Sequence, residues 1–466
     1  MPETQVELCV IGAGSGGSLV ASAAARLGRR VVLIDADASH QEARRLSLSA
    51  FVAAARVAQG HRLGSALGVE PSSPHVDATR LRQHVRDAVS VLHSRMARLE
   101  GVTTIRKEAR FLDSKTLDAA DTRIKARHFV IATGTRAAIP DVPGLGSVPF
   151  FTLDTVFEKD VLPRHLIVLG GGSTGIVLAQ AHRRLGSDVT VIDNARLLSR
   201  YEPHFAQILL DQVMREGVAL RDGAKISRIE PTEAGIRAEI GRVQGNELVE
   251  GSHLLVAAGR TANIASLDLA KAKVVISKAG IVVDDALRTS NKRIYAIGDV
   301  TGAPGTGEVA RWHAGLIIRR LLLGQPVHSR HDTVPRVLNS DPEIATVGLT
   351  VADAKEKGLA FEVATATLDD ASRGWSDRVG ESRIDVLIDK NERVLGASLI
   401  APYASELIVP WVMAISEEIP LSRLAGLIVP YPSFGDHVNR VTSSYYSVPL
   451  SNSSARRSRV VLADAS

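Results

Sequence analysis

Apolar strand-like runs and amphipathic helical patterns alternate along most of this chain. The alternation extends from Val6 to about Pro140 and resumes from His165 to Gly259, with Ile139-Pro-Asp-Val-Pro-Gly144 between the two stretches. Such alternation predicts parallel sheets with crossover helices, and the proline- and glycine-rich segment predicts a linker. Two successive α/β units are therefore expected before the C-terminal part of the chain.

The pattern changes beyond Pro335, where short strand-like segments follow one another with fewer helices between them. This order predicts an α+β unit with a mostly antiparallel sheet. The predicted strands are Ile344–Val347, Glu362–Thr367, Arg383–Ile388 and Val394–Ile400, and the predicted helices are Val351–Lys357 and Ala404–Glu417. The polar tail after residue 450 is expected to be poorly ordered.

Two glycine-rich motifs occupy equivalent places in the two α/β units. They read Gly12-Ala-Gly14-Ser15-Gly-Gly17 and Gly170-Gly-Gly172-Ser-Thr-Gly175, and each lies between a strand-like run and a helical pattern. In such a motif the first glycine makes a tight turn, and the second lets the backbone approach a pyrophosphate. The third glycine permits close packing of the helix on the strand. The repeated context predicts two dinucleotide-binding sites, whereas the simpler interpretation is that these glycines only form turns.

An acidic residue follows 18 residues after the last glycine of each motif, Asp35 in the first unit and Asp193 in the second. A carboxylate there can accept hydrogen bonds from ribose hydroxyls and repel a 2′-phosphate. Asp193 therefore favours NADH over NADPH, although the nearby Arg196 could contact a 2′-phosphate. The alternative is that both aspartates only cap the ends of strands.

Further motifs make the chain resemble a known family. They are Val130-Ile-Ala-Thr133-Gly134-Thr-Arg136, Ala257-Ala-Gly259-Arg260-Thr-Ala-Asn263, Ile294-Tyr-Ala-Ile-Gly298-Asp299 and Asp341-Pro-Glu-Ile-Ala-Thr-Val-Gly348. In this order they resemble the FAD-dependent pyridine nucleotide-disulfide oxidoreductases, the group of dihydrolipoamide dehydrogenase, glutathione reductase and mercuric reductase. The resemblance covers nearly the whole chain.

The resemblance implies a fold and a set of cofactor sites. The fold would be α/β, with two Rossmann-like dinucleotide-binding domains, one for FAD and one for NAD(H), and a C-terminal α+β dimerisation domain. The FAD-binding domain would span 1–145 and 265–333, the NAD(H)-binding domain 146–264 and the dimerisation domain 334–450, followed by a polar tail at 451–466. FAD would contact Gly12, Gly14, Ser15, Gly17, Asp35, Thr133, Gly134, Arg136, Gly298 and Asp299, and NAD(H) would contact Gly170, Gly172, Gly175, Asp193, Gly259 and Arg260. A homodimer is implied, in which each C-terminal domain contributes to its partner's active site.

The sequence departs from the family where the redox disulfide should be. Family members carry Cys-x4-Cys after the first acid, and a gapless match places Ala43 and Leu48 at those two positions. The lysine and glutamate that pair beside the flavin are missing together, with Val177 at the glutamate position. A thiol that attacks a disulfide or receives electrons from one cannot be replaced by an alkyl group.

A third departure lies near the C-terminus. The family's His-Pro-Thr-x-x-Glu dyad is replaced by Tyr431-Pro-Ser-Phe-Gly-Asp436. With an ordinary pKa of about 10, a tyrosine is a poor general base at neutral pH, but it can donate a hydrogen bond or stack on a ring. The neighbouring His437 could replace the lost base, or could be an exposed or interface histidine. Tyr431 and Asp436 are the candidate residues for orienting or protonating an acceptor.

Composition narrows the class of protein. The 466 residues carry a net charge of +5, but the basic residues are scattered and only 4% of residues are aromatic, which argues against nucleic-acid binding. No apolar run is long enough to span a membrane, and the first strand leaves no room for a signal peptide, so a cytoplasmic enzyme is expected. The single cysteine excludes an internal disulfide framework, and His313, His328 and His331 lack the spacing of a metal site, so no metal is expected.

The sequence thus predicts a homodimeric FAD-dependent oxidoreductase that takes electrons from NADH, with NADPH less favoured. Its flavin would pass electrons directly to a small non-disulfide acceptor such as a quinone. One alternative is a dihydrolipoamide dehydrogenase- or mercuric reductase-like enzyme with non-standard chemistry. Another is a redox sensor or subunit that keeps FAD and NAD as ligands with little turnover.

Overall fold

The computed structural model describes residues 3–36, 41–70, 74–96, 99–119, 122–158, 161–242, 245–303 and 307–447. The tail at 451–466, which was expected to be poorly ordered, lies outside the described residues. None of the helices in the described ranges is both long and apolar enough to span a membrane.

The first α/β unit is built on a mixed sheet. Its elements are β1 (Glu3–Ile11), α1 (Ser15–Arg26), β2 (Val31–Ile34), α2 (Gln41–Leu63), α3 (Ala78–Met96), β3 (Thr103–Ile105), β4 (Arg110–Phe111), β5 (Thr116–Ala119), β6 (Thr122–Ile131) and β7 (Thr135–Ala137). The sheet order is β3-β2-β1-β6-β5-β4, with β3, β2, β1 and β6 parallel and β6, β5 and β4 antiparallel. The C-terminal parts of the central strands β1 and β6 are buried, as Val10 and Val130 illustrate, because a parallel sheet is covered on both faces.

The second α/β unit repeats this design. It contains β8 (His165–Leu169), α4 (Ser173–Arg184), β9 (Asp188–Ile192), α5 (Pro203–Arg215), β10 (Ala219–Arg221), β11 (Lys225–Thr232), β12 (Gly235–Arg242), β13 (Gly245–Gly251), β14 (His253–Val256) and β15 (Arg260–Ala262). A parallel sheet has the order β10-β9-β8-β14, while β11, β12 and β13 form a separate antiparallel sheet. Antiparallel strands therefore occur in both α/β units, where the alternating pattern alone predicted parallel sheets.

The chain then returns to the first sheet. Strand β16 (Ile294–Ala296) pairs with β6 in parallel, and α6 (Gly307–Ile317) follows it and packs against α1. The short strands β7 and β15 pair with each other and so join the two α/β units at one edge. This return brings Gly298 and Asp299 to the same side of the first sheet as the glycine motif.

The C-terminal unit is an antiparallel sheet with helices packed on it, as its sequence predicted. Its elements are β17 (Arg336–Leu338), β18 (Glu343–Gly348), α7 (Val351–Glu356), β19 (Glu362–Ala366), α8 (Ser372–Asp377), β20 (Arg383–Ile388), β21 (Val394–Ala401), α9 (Ala404–Leu407), α10 (Val409–Ser416), α11 (Leu421–Leu424) and α12 (His437–Tyr446). The sheet order is β17-β18-β21-β20-β19. Trp411 of α10 is completely buried in the core of this unit. The predicted fold class, two Rossmann-like domains with a C-terminal α+β domain, is confirmed.

Candidate functional site

The first glycine motif forms a tight loop between β1 and α1. Gly12 adopts a φ of +103°, and a Cβ atom there would lie 2.4 Å from the carbonyl oxygen of Ala132. A Cβ on Gly17 would lie 1.9 Å from the carbonyl oxygen of Gly12. Gly14, by contrast, faces open space, and Ser15 begins the helix. The loop is thus a cradle with a bare backbone at a helix N-terminus, a geometry suited to an anionic pyrophosphate.

The second motif repeats this geometry closely. Gly170 has a φ of +111°, and its Cβ would lie 2.5 Å from the carbonyl oxygen of Ala257. A Cβ on Gly175 would lie 1.9 Å from the carbonyl oxygen of Gly170, while Gly172 again faces open space. Two cradles of the same construction therefore stand at the two sheets, and each can hold a dinucleotide phosphate.

The acid that follows each motif lies beside its cradle. Asp35 directly follows β2, and Asp193 directly follows β9. The Asp193 carboxylate accepts hydrogen bonds from the backbone N–H of Gly171 (2.6 Å) and of Ala195 (2.9 Å). These bonds fix the carboxylate at the mouth of the second loop. Each carboxylate oxygen can accept more than one hydrogen bond, so ribose hydroxyls remain possible partners.

The segment after β6 lies beside the first cradle. Thr133 follows β6, and its Oγ1 atom is buried without a hydrogen-bond partner among the described residues. An orphaned buried hydroxyl of this kind suits a ligand hydroxyl or phosphate. Gly134 adopts a φ of +65° and accepts a hydrogen bond from the N–H of Asn263, whereas Arg136 lies on β7 with an exposed side chain.

Gly298 and Asp299 form a tight turn after β16. Gly298 has a φ of +72°, and its N–H donates to Nδ1 of His313 at 3.1 Å. His313 is completely buried on α6, and burial, together with the nearby His331, lowers its pKa to about 4. The imidazole is therefore neutral at pH 7 and free to accept this bond. Sequence reasoning weighed His313 only as a metal ligand and missed its contact with the turn, which no local motif could reveal.

Arginine side chains gather where the family would place thiols. Arg45 of α2 brings Nη2 to within 3.5 Å of Asp299 Oδ2, and Asp299 is itself buried. Arg44 Nε lies 3.3 Å from Asp154 Oδ1. Arg260 Nη1 lies 3.4 Å from the same oxygen, and Arg260 also donates to the backbone carbonyl and hydroxyl oxygens of Thr135. These cations stand at the junction of the two α/β units.

Gly259 lies at the same junction. It adopts a φ of +126°, and its carbonyl oxygen accepts a hydrogen bond from the N–H of Ala138 at 3.0 Å. Gly259 and Arg260 therefore contact the end of the first unit, at the edge where β7 and β15 pair.

The only cysteine cannot serve as a redox thiol at this junction. Cys9 lies in the middle of β1 with no exposed surface, and burial raises the pKa of its thiol. Ala43 and Leu48, the residues at the expected thiol positions, both lie on α2.

The expected lysine–glutamate pair is replaced by two valines. Val177 of α4 is buried, and so is Val52 of α2, which the same gapless match places at the lysine position. Both valines line one small cavity of about 10 Å³. Sequence reasoning identified the loss of the glutamate at Val177. It could not show that Val52, at the lysine position, lies near Val177 between α2 and α4.

The C-terminal candidates lie on the surface of a single chain. Tyr431 is 81% exposed, and its hydroxyl lies 3.1 Å from Ser372 Oγ. Asp436 accepts a hydrogen bond from Arg440 Nε at 3.2 Å. His437 is not solvent-exposed: it is buried, its Nδ1–H donates to the carbonyl oxygen of Phe434, and burial lowers its pKa. Within one chain these residues contact their own domain, not the cradles.

Fold and site together define a protein with two dinucleotide cradles on linked Rossmann-like units and a separate antiparallel C-terminal domain. The family model of the pyridine nucleotide-disulphide oxidoreductases matches residues 6–314, and the model of the dimerisation domain of that family matches residues 334–441. The chain belongs to this family, and its cofactors are FAD and a pyridine nucleotide.

Individual relatives agree with this assignment. A mercuric reductase of Streptomyces lividans is 30% identical over 459 residues, which cover 95% of this chain and 97% of its own length. A dihydrolipoyl dehydrogenase of Haloferax volcanii is 30% identical over 457 residues, covering 93% of this chain and 95% of its own.

Solved structures give the same result. The HOCl-induced flavoprotein disulfide reductase RclA from Escherichia coli superposes with a TM-score of 0.82 at 26% identity, covering 94% of this chain and 99% of that one. LpdA from Mycobacterium tuberculosis superposes with a TM-score of 0.83 at 25% identity, with the same coverage.

Proposed function

We propose that this chain is an FAD-dependent oxidoreductase that oxidises NADH and reduces a small non-disulfide acceptor such as a quinone. The balanced reaction is NADH + H⁺ + quinone → NAD⁺ + hydroquinone. The observation that carries the proposal is the lone cysteine, Cys9, which is buried in β1 of a fold that otherwise keeps both dinucleotide cradles. Bound FAD supplies the chemistry, because a flavin can accept a hydride from NADH and pass electrons on without a thiol.

The first cradle fits the FAD pyrophosphate. Gly12, Gly14 and Gly17 leave its backbone bare at the N-terminus of α1, where the partial positive charge of the helix favours phosphate. Asp35 would bind the adenosine ribose. The segment after β6 and the turn after β16 would hold the rest of the cofactor. Their residues are Thr133, Gly134, Arg136, Gly298 and Asp299.

The second cradle fits NADH better than NADPH. Gly170, Gly172 and Gly175 form its loop, with Gly259 and Arg260 at the neighbouring junction. The Asp193 carboxylate is held at the mouth by the N–H groups of Gly171 and Ala195. A 2′-phosphate would meet this fixed negative charge, whereas ribose hydroxyls could donate to it.

Arginines stand on the acceptor side, where the family carries thiols, and they are paired with carboxylates: Arg44 with Asp154, and Arg45 with Asp299 and Glu308. Arg45, beside Asp299, carries a permanently charged guanidinium that can donate hydrogen bonds to the oxygen of a quinone and stabilise negative charge developing there. Leu48, which is half-buried on α2, offers an apolar contact that suits a planar ring more than a charged disulfide substrate. These features favour a planar acceptor that carries carbonyl oxygens, such as a quinone.

A homodimer would complete the site. The C-terminal unit exposes large apolar side chains in one sequence region, including Ile428, which is completely exposed, and Tyr431. Exposed apolar patches of this kind mark interaction surfaces. In the dimer, Tyr431 and Asp436 would reach the partner's active site and orient or protonate the acceptor.

The test is anaerobic titration of the purified flavoprotein. NADH should bleach the flavin absorbance, and a soluble naphthoquinone should restore it faster than lipoamide, glutathione disulfide or mercuric ion. Failure of NADH to bleach the flavin would favour a ligand-binding sensor with little turnover. Fastest reoxidation by lipoamide or mercuric ion would instead support a family enzyme with non-standard chemistry.

A variant can test the role of Arg45 on the acceptor side. Arg45→Met should slow quinone-dependent reoxidation at least about tenfold, since one charge-assisted hydrogen bond contributes about 1.5–3 kcal/mol. The rate of bleaching by NADH should change much less. Arg86→Met is the matched control, because Arg86 is an exposed arginine on α3. If quinone reoxidises the flavin of Arg45→Met and of Arg86→Met at the same rate, Arg45 takes no part in the reaction.

A further inference from the structure

Three potential metal ligands meet where the second α/β unit contacts the C-terminal sheet. Glu202 immediately precedes α5, His204 lies in its first turn, and Asp385 lies in β20. His204 Nε2 is 3.0 Å from Asp385 Oδ2 and 3.8 Å from Glu202 Oε2. One ligand atom from each residue lies within 4.8 Å of the other two.

One oxygen of this cluster lacks the partner that a buried carboxylate requires. The Glu202 side chain is only 10% exposed, and its Oε1 accepts a hydrogen bond from the N–H of Val351 at 2.7 Å. Its Oε2 is buried and has no hydrogen-bond partner among the described residues, and it faces His204. An unsatisfied buried carboxylate oxygen is costly, because it loses its hydration without compensation. A cation between Glu202, His204 and Asp385 would satisfy it.

We propose that Glu202, His204 and Asp385 form a binding site for a divalent transition metal ion, with Zn²⁺ as the best-suited ion. Imidazole nitrogen and carboxylate oxygen are both zinc ligands, and a site with three protein ligands leaves the fourth position to water. Ligand atoms about 2.0–2.1 Å from a tetrahedral zinc ion are about 3.4 Å apart. The two distances from His204 Nε2 lie on either side of this value, so small side-chain movements suffice.

The surroundings hold the ligands in place. Thr365 Oγ1 donates to Asp385 Oδ1 at 2.8 Å, and the N–H of Val351 orients Glu202. Such outer-shell hydrogen bonds fix metal ligands and raise affinity. Arg383 Nε lies 2.9 and 3.0 Å from the two Asp385 oxygens and balances charge in the metal-free state. Because this guanidinium competes with a metal for Asp385, moderate affinity is expected.

The site would link two domains. Glu202 and His204 belong to the second α/β unit, and Asp385 belongs to the C-terminal sheet. Bound metal would stabilise the folded chain, and the stabilisation would rise with the logarithm of the metal concentration relative to its dissociation constant. This role is independent of the electron acceptor and of turnover.

The experiment uses untagged, FAD-loaded protein that has been stripped with a chelator. Calorimetric titration with Zn²⁺ should give about one ion per chain, Co²⁺ should develop the visible absorption of a low-coordinate site, and Zn²⁺ should raise the melting temperature. Absence of all three signals from the wild-type protein would overturn the proposal.

Variants locate the site. His204→Ala and Glu202→Gln should each weaken Zn²⁺ binding at least about tenfold, and should abolish the thermal shift. Both should fold, since His204 is 42% exposed and glutamine keeps an oxygen to accept the Val351 N–H. His328→Ala is the control for an exposed histidine outside the cluster and should bind like the wild type. Wild-type affinity in His204→Ala would show that the metal binds elsewhere.

Discussion

Alanine substitutions at Gly14 and Gly17 should separate phosphate binding from folding in the first cradle. A Cβ on Gly14 meets no atom within 4 Å, and the backbone of Gly14, with φ −63° and ψ −176°, is accessible to alanine. A Cβ on Gly17 would lie 1.9 Å from the carbonyl oxygen of Gly12. Gly14→Ala therefore affects only a ligand bound over the backbone, whereas Gly17→Ala affects the conformation of the loop itself.

The magnitudes follow from these contacts. A carbon and a carbonyl oxygen approach to about 3.3 Å, so Gly17→Ala must move the loop by about 1.4 Å. Overpacking of this kind costs about 1–3 kcal/mol, which lowers the melting temperature of this 466-residue chain by about 1–3 °C and FAD affinity by about 5- to 150-fold. Gly14→Ala should leave melting of the apoprotein nearly unchanged. It should still weaken FAD binding about 10- to 150-fold, the loss expected for one charge-assisted hydrogen bond.

The assay compares apoprotein melting with FAD rebinding, followed by quenching of flavin fluorescence. Gly146→Ala is the control, because a Cβ there also meets open space but lies outside both cradles. Gly172→Ala and Gly175→Ala make the same pair in the second cradle, and they should raise the KM for NADH while FAD stays bound. Wild-type FAD affinity in Gly14→Ala would refute the placement of the pyrophosphate over this loop.

Three further predictions concern other parts of the molecule. Asp193→Asn removes the charge beside the second loop, so the preference for NADH over NADPH, measured as a ratio of kcat/KM values, should fall at least about fivefold. Burial lowers the pKa of His182 and of His313 to about 4, so the folded chain binds fewer protons than the unfolded chain below pH 6.5. Unfolding free energy, measured in urea, should therefore fall between pH 6.5 and 4, by up to about 3 kcal/mol for each histidine. Arg184→Met leaves Glu216, which is 4% exposed, without its cation, and should cost about 3–5 kcal/mol of stability.

Each of these three predictions has a control or a contrary result. An unchanged cofactor ratio in Asp193→Asn would contradict a role for this carboxylate in selecting NADH. His182→Phe should flatten part of the pH dependence, and an unaltered slope would mean that His182 is not neutral in the fold. Arg215→Met, at an exposed position on α5, should change stability by less than about 0.5 kcal/mol.

The sequence predicted the parts of the fold that local patterns encode. The glycine motifs and the alternation around them predicted both cradles, because the turn, the strand before it and the helix after it are continuous in the chain. The C-terminal strands were also predicted within a residue or two, apart from β17, which spans only Arg336–Leu338. The antiparallel strands of the first two units were not distinguished, since β4 has two residues and β11 to β13 lack a crossover signal.

Contacts between distant segments were beyond sequence reasoning. The bond from Gly298 to His313 depends on how α6 packs under the turn, and no spacing rule anticipates it. The cluster of Glu202, His204 and Asp385 combines residues separated by about 180 positions, so no metal-ligand spacing could reveal it. The charges of Arg44 and Arg45 were visible in sequence, but their positions beside Asp154 and Asp299 were not.

The replaced ion pair bears on whether this chain has lost catalysis or changed it. Removing one member of a buried pair leaves an uncompensated charge and costs about 3–5 kcal/mol, whereas replacing both by apolar residues of similar volume is often neutral or stabilising. Val52 and Val177 are both buried and line one small cavity, so neither position keeps an uncompensated charge of the pair. The cradles meanwhile keep each glycine at the points where a Cβ would collide with backbone. Two buried valines beside cradles that keep their glycines are consistent with the proposal that electrons leave the flavin by another route while both cofactor sites remain in use.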